Sequence, residues 1–162
     1  MITVRNEILK KGHIGYKVAP YEQLDHNSVL HESFSSKKEW SGFYVATTRQ
    51  VAHGYRYDHP HAYGHTVTLL RNLPVLVFTG NELSDTSVSN TDKARMIKDA
   101  LPANLKTYMM NQNKPLIAAL GALGFCYQGP HDSEGGVEII IPNNLIAYVS
   151  TEMKVDFGRR PF

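Results

Sequence analysis

The run Trp40-Ser41-Gly42-Phe43-Tyr44-Val45-Ala46 does most to restrict what this chain can fold into. Aromatic and β-branched residues crowd it, which predicts a strand through Phe43–Thr47. Thr47 or Thr48 then caps a short helix beginning near Arg49 and ending around Gly54 or Tyr55. Tyr44 and Tyr55, eleven positions apart, fall at the two ends of this strand–helix unit. Two rings so placed either pack as core aromatics with hydroxyls at the rim or clamp a flat ligand between them.

A second stretch, Gly135-Gly136-Val137-Glu138-Ile139-Ile140-Ile141, places one carboxylate inside an otherwise apolar strand. Side chains alternate along a strand, so Glu138 and Ile140 share one face, and Val137, Ile139 and Ile141 the other. Such a glutamate lies either on a solvated face or in a cleft.

Other elements follow from local signals. Residues 13 to 18 read as a short strand carrying Lys17, and a lysine there is by default solvated. Pro20 suits a helix start, so Tyr21 to His31 is read as helical, followed by a polar loop from Ser33 to Glu39. His65–Arg71 alternates as a half-buried strand, and Val75–Thr79 is an apolar one. Residues 80 to 91 are polar and turn-rich. Helices are expected over Lys93–Leu101, Leu105–Met110 and Pro115–Leu123, with Gly124 stopping the last. Phe125–Tyr127 is short and extended, residues 129 to 136 form a loop, and Leu145–Thr151 is a further strand. The sum is a single α+β domain over residues 1–162.

With 162 residues the chain suffices for one domain with a core. The apolar fraction of 42% and charged fraction of 20% exclude a disordered chain. A net charge of +2 is too slight to argue for nucleic acid or an anionic membrane. No apolar run approaches the roughly 20 residues of a membrane span, and no apolar segment follows the early charges as in a signal peptide. Cys126 is the single cysteine, with no sequence neighbour that would make it a nucleophile. His59, His61 and His65, with His53 and Asp58 nearby, match no usual zinc spacing, so no metal is expected. Neither a glycine-rich phosphate loop nor a Gly-x-Ser-x-Gly elbow is present.

The segments Trp40-Ser41-Gly42-Phe43-Tyr44, Ala52-His53-Gly54-Tyr55 and Val137-Glu138-Ile139-Ile140 occur in an order that resembles one enzyme family. These are the mono-ADP-ribosyltransferases of the His-Tyr-Glu type, which include the catalytic domains of diphtheria toxin and exotoxin A. The resemblance covers roughly residues 13 to 150. It departs at Tyr16-Lys17-Val18-Ala19, where Lys17 stands in place of the family histidine. A lysine ammonium still offers three donors to a hydroxyl or a diphosphate oxygen, but accepts nothing.

The resemblance implies the ADP-ribosyltransferase fold, with two small packed antiparallel or mixed β-sheets and short flanking helices. It implies NAD as co-substrate and no metal. Glu138 is implied as the catalytic carboxylate that stabilises the oxocarbenium-like ribose as nicotinamide departs. Tyr44 and Tyr55 would sandwich the nicotinamide ring. The Val18 backbone would read its amide, Lys17 would hold the ribose or diphosphate, and Trp40 would wall the pocket or help hold the acceptor. The implied role is a monomeric bacterial toxin or effector domain, secreted or delivered into a target cell. It would act in that cell's cytoplasm on a macromolecule, a protein rather than a nucleic acid. NAD hydrolysis on the same scaffold, or an inactive module that binds NAD or ADP-ribose, are the alternatives.

Overall fold

The computed structural model describes residues 1–19, 21–24, 31–33, 37–53, 63–130 and 137–154. Its strands are β1 (Thr3–Leu9), β2 (Gly12–Ala19), β3 (His31–Ser33), β4 (Lys37–Ala46), β5 (Tyr63–Leu69), β6 (Leu73–Thr79), β7 (Cys126–Pro130), β8 (Val137–Ile141) and β9 (Val149–Lys154). Its helices are α1 (Arg49–His53), α2 (Asn81–Ser84), α3 (Asn90–Ala100), α4 (Ala103–Gln112) and α5 (Leu116–Ala122). The molecule is therefore a mixed α+β protein.

The expectation of two separate sheets is replaced by one hydrogen-bonded path, β1-β6-β7-β8-β4-β2-β5-β9, with β3 added on β4. Among the described strands only β6 and β7 run parallel. A parallel pair needs a crossover longer than a hairpin turn, and α2 to α5 supply it between these two strands.

The path is weakest in its middle. The described residues of β2 and β4 share one register pair, Tyr16 with Ala46. By contrast, β2 pairs with β5 from Gly12 to Ala19, and β4 with β8 from Phe43 to Ala46. Gly15 lets the two strands cross closely, because a Cβ there would collide with the Ala46 carbonyl and the Val45 side chain. Beyond that crossing the strands part, and the gap between them is where the candidate site lies.

Two apolar layers anchor the sheet. On one face Leu76, Phe78, Tyr127 and Ile140 pack under α3 and α5, with Ile97, Leu116, Ile117 and Leu120 wholly buried. On the other face Phe43, Val45, Val67, Val75, Ile139 and Ile141 pack together with Leu145 and Ile146. Fully burying side chains of this size contributes about 1.5–3 kcal/mol each. Ser89 caps α3 by accepting from the Asp92 amide. Pro115 precedes α5, and the Gly124 amide bonds the Gly121 carbonyl beyond its end.

Several local expectations change. Tyr21–Leu24 is not helical, and His31 opens a strand, while residues 25 to 30 lie outside the described set. Lys37–Glu39 belongs to β4 rather than to a loop. Residues 81 to 84 form a helical turn within the stretch read as turns. Asn143–Tyr148 winds as a 3₁₀ helix, so the late strand begins only at Val149. Pro142 has the fixed φ that suits a helix entry, and Asn143–Tyr148 holds only one β-branched residue, Ile146, to oppose it. The edge strand β1 is an element that pattern alone does not reveal.

Candidate functional site

Three strands that are far apart in sequence bring the candidate residues together. On β4 and β8 the register sets Tyr44 across from Ile140 and Ala46 across from Glu138. Tyr44 and Glu138 are thus diagonal neighbours on one face, a relation that puts Cβ atoms roughly 7–8 Å apart. On the far side of β4, β2 contributes Tyr16, Lys17 and Val18. These line one cleft with Tyr44, Ala46 and Glu138. Helix α1 closes its flank, with Val51 and Ala52 packed on Val18 and Ala46.

Lys17 is not the solvated residue its sequence context suggests. It is 5% exposed, and its ammonium donates to the Tyr44 carbonyl at 3.0 Å. The same nitrogen sits 4.7 Å from the centre of the Phe43 ring. Burial lowers its pKa from 10.5 to about 7, and the Glu138 carboxylate pulls it partly back up. Lys17 therefore changes charge near neutral pH.

Tyr44 is half-buried. Its hydroxyl donates to the Trp40 carbonyl at 2.5 Å. Burial above all, then the neighbouring Glu138 and Tyr127, push the phenol well above its ordinary range. It remains a neutral donor at any physiological pH. Glu138 is itself half-buried, which favours the cleft over the fully solvated face.

Trp40 does not wall the cleft among the described residues. It is 8% exposed and packs edge-on against Tyr127, centroids 5.3 Å apart at 85°. Its indole N–H donates to the Asn90 carbonyl at 2.8 Å. Its backbone, through the Tyr44 bond, is its link to the site. The structural reason is size: the core under α3 takes the largest apolar ring the strand offers. Tyr55 lies outside the described residues. So do His59, His61 and the loop at residues 131 to 136.

Sequence reasoning assigns Tyr16 and His65 no part in this site, and weighs His65 only within the histidine group tested for zinc spacing. Tyr16 lines the cleft, with the Arg49 guanidinium 5.6 Å above its ring and His13 edge-on at 5.0 Å. His65, paired in register with Lys17 across β2 and β5, is 1% exposed and bonds the Tyr21 carbonyl through Nε2 at 2.8 Å. Burial lowers its pKa, the Tyr21 bond opposes this, and Lys17 lowers it further. It is a neutral imidazole beside the lysine. Alternation along β2 is the signal that marks Tyr16, and nothing local marks His65.

Among the described residues no group of three His, Cys, Asp or Glu could hold a metal. Cys126 is fully buried, and burial pushes its thiol up to about 12, which makes it a poor nucleophile. The cleft encloses about 10 Å³, the space of one water. It suits contact with one small polar group, such as a hydroxyl. A larger hollow of about 300 Å³ lies at the ends of β6 and β7, bordered by Arg5, Thr79, Asn81 and Gln128. It reaches β8 at Val137, whose side chain points to the face opposite Glu138.

No helix among the described residues is long and apolar enough to cross a membrane. A scan against protein-family models and a search of curated proteins gave no match to this chain.

Proposed function

We propose that this protein is an NAD-dependent mono-ADP-ribosyltransferase that moves ADP-ribose from NAD to a macromolecular acceptor and releases nicotinamide. The observation that carries the reading is the convergence of Lys17, Tyr44 and Glu138 from β2, β4 and β8 on one cleft where the sheet parts. On this reading the fold is an ADP-ribosyltransferase fold whose two half-sheets hinge at the Tyr16–Ala46 pair.

The chemistry suits these groups. The bond from ribose C1′ to the nicotinamide nitrogen breaks, and its electron pair leaves with the now neutral nicotinamide. The ribose gains cationic character, which the Glu138 carboxylate stabilises where water is scarce. The acceptor atom then bonds C1′ and gives up its proton. A polar contact from Glu138 to a ribose hydroxyl fits the water-sized notch. The Tyr44 ring offers a face for the nicotinamide, and the Val18 backbone lies on the same wall. Lys17 offers a cation to the ribose or diphosphate while it is protonated. The reading carries with it a bacterial toxin or effector delivered into a target cell, with a protein as acceptor.

Hydrolysis of NAD is the second reading, favoured by the water-sized space beside Glu138. Labelled NAD incubated with the protein and a cell lysate separates the outcomes. Label on a macromolecule supports transfer, and free ADP-ribose without it supports hydrolysis. Neither product, with NAD still bound, leaves an inactive binding module. Glu138→Ala is expected to lower NAD consumption by about 10²–10³-fold, as for loss of a transition-state contact, while the protein stays folded and binds NAD. Unchanged consumption by that variant overturns the mechanism.

A further inference from the structure

Gly129 on β7 stands directly across from Glu138 on β8. A side chain at 129 would project beside the carboxylate, since paired residues on one face hold their Cβ atoms about 4.5–5.5 Å apart. Gly129 has none, and another group fills the place. A Cβ built there collides with the hydroxyl of Tyr127 and lies 2.8 Å from its Cζ. The phenol of Tyr127 thus lies forward along its own strand over Gly129, with its oxygen where a side chain paired with Glu138 would begin.

The ring is held from both sides. Tyr127 is 4% exposed, stacks on Phe78 with centroids 5.4 Å apart at 20°, and meets the edge of Trp40 at 5.3 Å. Tyr127 and Tyr44 also flank Ile140, one on each neighbouring strand. The upward push that Glu138 and Tyr127 each exert on the Tyr44 phenol places both within electrostatic reach of Tyr44.

We infer that Tyr127 is a positioning residue for Glu138: its hydroxyl, seated in the notch left by Gly129, fixes the carboxylate toward the cleft. The apolar packing of Trp40 and Phe78 gains a purpose here, because it aims this hydroxyl. The consequence for NAD cleavage rests on the function proposed above, while the contact itself does not.

The test reads the contact without any substrate. In protein labelled with ¹³C at the glutamate carboxyls, the Glu138 resonance is assigned by its loss in Glu138→Gln and titrated with pH. Tyr127→Phe removes the oxygen and keeps the ring. It is expected to raise the Glu138 midpoint by about half a pH unit or more, because a donor to the ionised form is lost. Lys17 and Tyr16 from β2, Tyr44 from β4 and Arg49 of α1 border the same region, and none is altered in this variant. Gly129→Ala is expected to shift the midpoint the same way by displacing the hydroxyl. In turnover, Tyr127→Phe is expected to lower kcat about tenfold with KM for NAD unchanged, as for a contact that matters in the transition state. An unchanged midpoint in both variants overturns the inference. A raised midpoint in a protein whose parent does not cleave NAD supports the contact and overturns the NAD reading alone.

Discussion

The Lys17 ammonium donates to the Tyr44 carbonyl across 3.0 Å, tying β2 to β4 where their backbone ladder has ended. A side chain from one strand thereby satisfies a main-chain acceptor of the next. That contact keeps β2 linked to β4 past their one register pair, where the sheet opens into a cleft.

Lys17 makes stability depend on pH. Its folded pKa of about 7 lies below the ordinary 10.5. Between those values the unfolded chain holds a proton that the folded chain has lost, so stability rises with pH across the window. The gain is about 1.4 kcal/mol for each pH unit within it. Lys17→Met lacks this slope. Urea unfolding at pH 6 and pH 9.5 is expected to show the variant gaining on the parent at pH 6 and losing that advantage at pH 9.5. Parallel pH dependences of the two proteins would count against a buried, depressed lysine.

Gly15 is the hinge of the β2–β4 crossing. Gly15→Ala drives a methyl group into the Ala46 carbonyl and Val45. Overpacking of this kind costs about 1–3 kcal/mol, which for a chain of this length lowers Tm by roughly 5 °C. Gly12→Ala makes a useful contrast, since nothing lies within 4 Å of a Cβ there, although its φ of 118° strains any other residue. A Tm for Gly15→Ala matching the parent would remove the close crossing from the argument.

Tyr44 has two separable parts. Tyr44→Phe loses the bond to the Trp40 carbonyl, at a cost of about 1–2 kcal/mol in urea unfolding. It keeps the ring, so under the proposed function KM for NAD is expected to change by less than about threefold. Tyr44→Ala removes the ring as well and is expected to raise KM by about tenfold, the scale of one stacking or cation–π contact. Equal KM values for the two variants would mean that the ring meets no part of NAD.

Much of the local structure is legible in the chain because it depends on near neighbours. The apolar run Val137–Ile141 extends as a strand wherever it lies, and it pairs as the core of the sheet. Helix α3 follows from the apolar face of Lys93–Leu101, although it begins earlier, at Asn90, and α5 follows from Pro115 as entry. Where reading by pattern fails, two local tendencies compete. At Leu145–Thr151 the turn that follows Pro142 overrides the apolar strand-like run as far as Tyr148. In β1, Arg5, Asn6 and Glu7 interrupt the alternation, yet edge pairing with β6 makes a strand of it.

The sequence by itself determined which residues can carry chemistry: one carboxylate in an apolar strand, a tyrosine on an aromatic strand, a lysine after Tyr16. Their environments were decided only by the tertiary structure. Trp40 went to the core because the space under α3 accepts its ring. Lys17 became buried and titrates near neutrality because β2 turns away from β4 just past Gly15. Tyr127 came to stand beside Glu138 because β7 and β8 pair in one particular register. Burial and cross-strand distance arise between segments remote in sequence, so no window along the chain contains them.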